Sequence, residues 1–101
     1  MQQYFVYIAL CADATYYVGI TNDPDRRLWE HNAGPSPSAY THSRRPVSLV
    51  YVAPFDRVEE AIAWEKHLKG WTHAKKRAMI NNDWRLVHSL ARRTAERNRP
   101  R

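Results

Sequence analysis

Two apolar, aromatic-rich runs near the start of the chain most constrain its fold: residues 4–10 (YFVYIAL) and residues 15–20 (TYYVGI). Only four residues, 11–14 (CADA), separate them. β-Branched and aromatic residues favour strands, and a short gap between two such runs indicates a β-hairpin. Both faces of the runs are apolar, which predicts that the hairpin lies centrally in a covered sheet.

A helix start follows the hairpin. Asp23 can accept backbone N–H groups as the N-cap, and Pro24 suits the first helical position. Gly34 is expected to cap the other end in a left-handed conformation, and Pro35 cannot continue the helix. The sequence therefore predicts a helix over residues 24–33.

The remainder of the chain predicts one more strand and further helices. Residues 47–53 (VSLVYVA) alternate as a strand would, after an irregular loop at 33–46. Asp56 and Glu59 resemble a capping box. Helices are expected over residues 57–69, 73–82 and 84–93.

The element order β-β-α-β-α-α with a helical tail predicts an α/β (α+β) fold in which helices flank a small, three-stranded, mixed sheet. The crossover through the first helix is compatible with one parallel strand pair. A length of 101 residues suits one domain. We assign residues 1–83 to that domain and residues 84–101 to a basic, helical or partly disordered extension.

The charge balance points to a polyanionic partner. The net charge is +6 and the pI is about 9.8, which is typical of proteins that bind nucleic acid. A single cysteine excludes an internal disulfide. No apolar run approaches the roughly 20 residues of a membrane span, and no secretion signal is visible. A cytoplasmic protein without membrane contact is expected.

One carboxylate falls among apolar residues of the second long helix. Val58, Ala61, Ile62 and Leu68 share a face by their spacing, and Glu65 lies on the same stripe. A carboxylate facing a core is costly unless it is paired or bound to metal. Three interpretations stay open: a pair with a buried arginine, a position at the edge of the stripe in contact with water, or a ligand for a divalent cation in a cleft.

Several basic residues are candidates for contacts with nucleic-acid phosphates. Arg44 and Arg45 end the loop, where they either contact a phosphate backbone or form a solvated charge pair. Beyond Trp84 the chain carries six arginines and one glutamate, which predicts sequence-independent phosphate contacts that weaken with salt. The full set of candidates is Arg26, Arg44, Arg45, Lys69, Lys75 and Lys76.

The ordered motifs of the chain resemble the GIY-YIG nuclease superfamily, in particular its short stand-alone bacterial members. The two motifs stand here as Val6-Tyr7-Ile8 and Tyr17-Val18-Gly19. The helix arginine and the tyrosine-or-histidine position that follows it correspond to Arg27 and His31, and the later glutamate corresponds to Glu65. The resemblance covers roughly residues 3–80.

The resemblance implies a three-stranded sheet flanked by helices and metal-dependent hydrolysis of nucleic-acid phosphodiesters. By position, Glu65 would hold one Mg²⁺ or Mn²⁺, Arg27 would bind the scissile phosphate, and Tyr7 would activate water. Tyr17 and His31 would tune or orient the site. One carboxylate suffices for Mg²⁺, which keeps several waters and substrate oxygens. Arg27 and His31 lie at i and i+4, so one helix face would present both to the two tyrosines.

Two hypotheses on function result. The first is a divalent-metal-dependent nuclease of low sequence specificity, with DNA favoured over RNA and DNA repair or recombination as the expected context. The alternative is a nucleic-acid-binding module with the same fold and little or no cleavage.

Overall fold

The computed structural model describes residues 3–33 and 39–97. In this part of the chain there are three strands and five helices. The strands are β1 (Tyr4–Leu10), β2 (Tyr16–Thr21) and β3 (Ser48–Phe55), and the helices are α1 (Pro24–Asn32), α2 (Ala39–His42), α3 (Val58–Lys69), α4 (His73–Ile80) and α5 (Trp84–Arg97). The predicted element order is confirmed, with α2 as an addition within the predicted loop.

The sheet has the order β2-β1-β3 and is antiparallel throughout the described residues. The expected hairpin is present, with Tyr7 opposite Gly19 and Ile8 opposite Val18. The predicted α+β fold is confirmed, but the expectation of a mixed sheet is wrong. The crossover through α1 makes β3 run in the same direction as β2. However, β3 pairs with β1, which is antiparallel to both. The central place expected for the hairpin belongs to β1 alone.

Helix α1 begins as its sequence predicts. The side chain of Asp23 accepts the backbone N–H of Arg26, and Pro24 is the first helical residue. Asn32, the last residue of α1, accepts the N–H of Val47 at 2.7 Å and donates to its carbonyl at 2.8 Å. This double hydrogen bond fixes the start of β3 against the end of α1. The cap expected at Gly34 lies outside the described residues.

The sheet is covered by apolar packing. Tyr7 and Ala9 of β1 and Cys11, which directly follows that strand, pack with Val47 in one buried cluster. Helix α3 packs against all three strands and buries Ala61 and Leu68 completely. Ile62, which the sequence placed on the apolar stripe of α3, is 40% exposed, so the buried stripe is narrower than expected.

The chain divides into two compact units, Met1–Lys69 and Gly70–Arg101. In the second unit α4 packs against α5, with Ala78, Met79 and Val87 buried. Thr72 caps α4 as its sequence predicts, by accepting the backbone N–H of Lys75. The assignment of residues 1–83 and 84–101 to a domain and an extension stays a prediction. No helix of the described residues has the length and apolar character to cross a membrane.

Candidate active site

The first site residue, Tyr7, is fully buried at the centre of the sheet, and its position depends on the glycine across from it. The phenol ring lies directly against the backbone of Gly19. A Cβ atom added there would lie 2.5 Å from Cζ of Tyr7 and nearer still to the hydroxyl oxygen. The φ of Gly19 is not positive. Close approach of the tyrosine, rather than an unusual backbone conformation, therefore explains the glycine.

We expect Gly19→Ala to lower the free energy of unfolding by about 1–3 kcal/mol, the usual cost of overpacking a core. The methyl group must displace the Tyr7 ring, so nucleic-acid cleavage should fall as well. Urea unfolding measures the first effect. Gly70→Ala is the control, because Gly70 is exposed and its φ is also not positive. A stability of Gly19→Ala equal to that of the wild type would contradict this account of the site.

A chain of hydrogen bonds links four side chains around the Tyr7 hydroxyl. Nε of Arg27 donates to Oη of Tyr7 at 3.2 Å, and Nε2 of His31 lies 2.9 Å from the same oxygen. On the other side of the imidazole, Nδ1 lies 2.8 Å from Oγ1 of Thr41. Arg27 and His31 are thus presented by one face of α1, as their spacing predicts. His31 and Thr41 are both fully buried.

Tyr17 completes the aromatic wall of this site. Its ring centroid lies 5.4 Å from the His31 ring in an edge-on arrangement and 6.3 Å from the Tyr7 ring. Edge-on and tilted aromatic contacts are favourable beyond the area they bury. The two tyrosines, the arginine and the histidine of the motifs therefore lie together in the fold.

Burial sets the protonation of the two central groups. It raises the pKa of the Tyr7 phenol, although the hydrogen bond and positive charge of Arg27 partly oppose this. Burial lowers the pKa of His31, the charges of Arg27 and Arg45 lower it further, and Glu30 opposes them. At neutral pH the site therefore contains a protonated phenol beside a neutral imidazole.

Glu65 lies on the buried side of α3, with only 16% of its side chain exposed. Its negative charge contributes to the raised pKa of Tyr7, which places the two groups in electrostatic reach of each other. Its ion partner among the described residues is Lys69, whose Nζ lies 3.4 Å from Oε1 and which is 54% exposed. The partner is thus an exposed lysine one helical turn away, not the buried arginine of the first interpretation.

One carboxylate near the phenol fits a Mg²⁺ or Mn²⁺ ion that takes its other ligands from water and substrate. The described residues contain no cluster of three or more histidine, cysteine or acidic side chains that could enclose a metal by itself. The donor set therefore fits an open site completed by a phosphate and does not fit a closed structural metal site.

The predicted phosphate-binding residues take different positions. Arg45 lies close enough to His31 for its charge to act on the imidazole. In contrast, Nε of Arg44 forms a 2.8 Å ion pair with Asp13 in the hairpin turn.

The other four candidates also have neighbours. Arg26 donates to Asn22, and Lys69 pairs with Glu65. Lys75 lies 4.1 Å above the Trp71 ring, and Lys76 is partly buried, which lowers its pKa.

The pair between Arg44 and Asp13 competes with any phosphate for the Arg44 guanidinium. We expect Asp13→Asn to raise DNA affinity about 3-fold at low salt, with a smaller gain at higher salt, because exposed charges are screened. Fluorescence anisotropy of labelled duplex DNA measures this change. Asp56→Asn, at another exposed carboxylate, gives the same net charge. If both variants gain equally, net charge and not the release of Arg44 is the cause.

Thr41 is the site residue that the sequence did not reveal. It lies in α2, within a segment that was predicted to be an irregular loop, and a lone threonine there carries no pattern. Its neighbours Arg44 and Arg45 gave a charge signal, but nothing in the sequence pairs Thr41 with His31, ten residues away.

The part of the chain that carries these site residues matches a known family. The model of the GIY-YIG catalytic domain matches residues 3–78, which contain both tyrosine motifs, Arg27, His31 and Glu65. The chain belongs to the GIY-YIG family. GIY-YIG domains form a nuclease superfamily, so membership gives the enzyme class as nuclease and the substrate class as nucleic acid.

Relatives from other organisms align with most of this chain. A UPF0213 protein of Halobacterium salinarum is 43% identical over 75 residues, which are 74% of this chain and 96% of the relative. A UPF0213 protein of Bacillus velezensis is 37% identical over 93 residues, 92% of this chain and 93% of the relative. These names state no activity, so the nuclease class comes from the family alone.

Two solved structures share the GIY-YIG fold seen here. The solution NMR structure of a UPF0213 protein from Bacillus halodurans has 37% identity and a TM-score of 0.52, and covers 78% of this chain and 83% of its own. That of a protein from E. faecalis has 33% identity and a TM-score of 0.57, and covers 81% and 86%.

Proposed function

We propose that this protein is a divalent-metal-dependent nuclease that hydrolyses phosphodiester bonds, with DNA as the favoured substrate and with low sequence specificity. The observation that carries the proposal is the hydrogen-bonded series of Arg27, Tyr7 and His31, in which the phenolic oxygen accepts from Nε of Arg27 and lies 2.9 Å from Nε2 of the buried imidazole. Burial alone requires a partner for the hydroxyl, but a fixed cation and a neutral imidazole as its two partners also suit the hydroxyl to proton transfer.

The phenol requires such partners to act as a base. A tyrosine with a pKa near or above 10 is protonated at neutral pH and takes up no further proton. The neutral His31 imidazole accepts the Tyr7 proton at Nε2 while Tyr7 takes a proton from the attacking water. Arg27 stabilises the negative charge that develops on the phenolic oxygen during this transfer, after which Tyr7 is again a neutral phenol and His31 carries the additional proton. The oxygen of that water forms a bond to phosphorus, the bond to the leaving oxygen breaks, and the leaving oxygen takes up a proton from solvent.

Access to Tyr7 requires a small rearrangement, because its side chain has no exposed surface. Arg27 is the partly exposed neighbour of the hydroxyl, with 21% of its side chain exposed. A guanidinium binds phosphate through two parallel hydrogen bonds. A bound phosphodiester would engage the outer Nη atoms of Arg27 and shift the side chain enough to admit water to Oη of Tyr7, while Nε keeps its hydrogen bond to the phenol.

Glu65 would hold the divalent cation, which when bound neutralises charge on the phosphate and stabilises the transition state. The low exposure of this side chain, 16%, and its electrostatic effect on Tyr7 support that role. Arg45, whose charge reaches His31, would add a second cationic contact for the substrate. Low sequence specificity follows from contacts that go to phosphate rather than to base edges.

The test is cleavage of labelled single-stranded, duplex and branched DNA, and of matched RNA, with Mg²⁺, Mn²⁺ or EDTA. We expect DNA cleavage that requires either metal, stops with EDTA, and differs less than about 3-fold between duplexes of unrelated sequence, since phosphate contacts carry no sequence information. Salt-sensitive binding without cleavage under every condition would instead establish the alternative, a nucleic-acid-binding module.

A further inference from the structure

Thr41 is a fully buried polar side chain with a direct contact to the site. Its Oγ1 lies 2.8 Å from Nδ1 of His31, the ring nitrogen that faces away from Tyr7. The imidazole is thus held from both sides, by a phenol at Nε2 and by a hydroxyl at Nδ1. What the hydroxyl does depends on which ring nitrogen carries the proton.

The hydrogen-bond directions follow from Arg27. A guanidinium can only donate, so the Tyr7 oxygen accepts from Nε of Arg27. Tyr7 is fully buried, so its hydroxyl proton needs an acceptor, and of the two groups in contact with the hydroxyl only Nε2 of His31 can accept it; Nε2 must then be unprotonated. In a neutral imidazole the other nitrogen carries the proton. Nδ1–H therefore donates to Oγ1 of Thr41.

We propose that Thr41 is a positioning residue that holds His31 in the tautomer protonated at Nδ1, which leaves Nε2 free to accept the proton of Tyr7. This inference rests on the proposed function, since proton acceptance matters only if Tyr7 acts as a base. The Oγ1 of Thr41 contacts the imidazole at the nitrogen that faces away from the phenol. It acts through the imidazole, as the group behind a catalytic histidine does in other enzymes.

The electrostatic surroundings of His31 agree with a neutral ring. Burial and the charges of Arg27 and Arg45 lower the pKa of His31, whereas Glu30 raises it. The tyrosine rings of Tyr7 and Tyr17 supply its aromatic neighbours. A doubly protonated ring would donate at both nitrogens and would accept nothing from Tyr7.

The first experiment reads the tautomer without any substrate. In a long-range ¹⁵N–¹H correlation spectrum of the intact protein at neutral pH, protonated and unprotonated ring nitrogens of a neutral histidine are well separated. His31→Gln assigns the signals by their loss. We expect the wild type to show the proton at Nδ1, and Thr41→Val to shift population to the form protonated at Nε2. A wild-type ring protonated at Nε2 would overturn the proposal even if no variant folds.

The second experiment compares kcat and KM for DNA cleavage. Thr41→Val keeps the shape of the side chain and removes the acceptor, so kcat should fall about 10- to 100-fold, the size of a partly lost acid–base contribution. KM should change less than about 2-fold because Thr41 does not contact substrate. Thr41→Ser keeps the hydroxyl and should restore kcat to within about 3-fold of the wild type.

Two kinetic results would overturn the inference: an unchanged kcat in Thr41→Val, or an equal loss in Thr41→Ser. A wild type without cleavage would refute the proposed function instead. In that case the NMR spectra of the wild type and of Thr41→Val still decide whether Thr41 sets the tautomer.

Discussion

Replacing Glu65 with glutamine is expected to lower the rate of DNA cleavage by about 10³-fold while leaving DNA binding within about 3-fold of the wild type. The amide keeps the shape of the side chain and removes the charge that would hold the cation, whose contribution to transition-state stabilisation is several kcal/mol. Each 1.36 kcal/mol corresponds to a factor of ten in rate. Single-turnover cleavage with Mg²⁺ and binding with EDTA measure the two quantities.

Two controls separate the metal role of Glu65 from its ion pair. Lys69→Met removes the partner that lies 3.4 Å from Oε1 but keeps the carboxylate, so the single-turnover rate at saturating DNA should stay within about 3-fold of the wild type. Glutamine keeps the shape of the Glu65 side chain, and Lys69 is 54% exposed, so neither variant should unfold. Glu59→Gln tests the same chemical change at an exposed position of α3.

The outcomes distinguish the interpretations of Glu65. If Lys69→Met lost as much cleavage as Glu65→Gln, the ion pair would be the essential feature and the carboxylate would not be a metal ligand. If Glu65→Gln cleaved DNA at the wild-type rate, the metal would have to bind elsewhere or be unnecessary.

Local patterns in the sequence predicted most of the fold because short-range physics determines them. The hairpin of β1 and β2 follows from strand-forming residues on either side of a four-residue gap, and α1 follows from Asp23 and Pro24. The i,i+4 spacing placed Arg27 and His31 on one face, and the structure shows both in contact with Tyr7.

Partners that are distant in sequence could not be predicted in the same way. The direction of β3 relative to its neighbour depends on which edge of the sheet it joins, and no local pattern encodes that choice. Arg44 and Arg45 look equivalent in sequence, yet one pairs with Asp13 and the other acts on His31.

The buried state of the Tyr7 phenol favours the enzyme over the binding module. A phosphate-binding surface requires exposed cations, and those of Arg26 and Lys69 would serve it without any help from a buried hydroxyl. A protonated phenol, a neutral imidazole and a guanidinium held in one hydrogen-bonded series are suited to proton transfer. That suitability is the reason for proposing an enzyme rather than a binding module.

Tyr7→Phe is expected to lower DNA cleavage by about 10²- to 10⁴-fold, the usual contribution of a general base. The ring still fills the space against Gly19, so the core keeps its packing. The free energy of unfolding should fall by about 1–3 kcal/mol, because Nε of Arg27 and Nε2 of His31 lose their shared partner. Single-turnover cleavage and urea unfolding measure the two effects, and DNA affinity should change less than about 3-fold, since Arg27 remains to bind phosphate.

Tyr51→Phe is the matched control for Tyr7→Phe. Tyr51 lies on β3 of the same sheet, and its hydroxyl accepts a hydrogen bond from Nε1 of Trp64 at 3.2 Å. The same atom is removed from the same residue type, also with a side-chain partner, but away from Arg27 and His31. Cleavage should stay within about 2-fold of the wild type in this control, as expected for a hydroxyl with no part in proton transfer. If Tyr7→Phe cleaved DNA as well as Tyr51→Phe does, Tyr7 would be a packing residue and the attacking water would need another base.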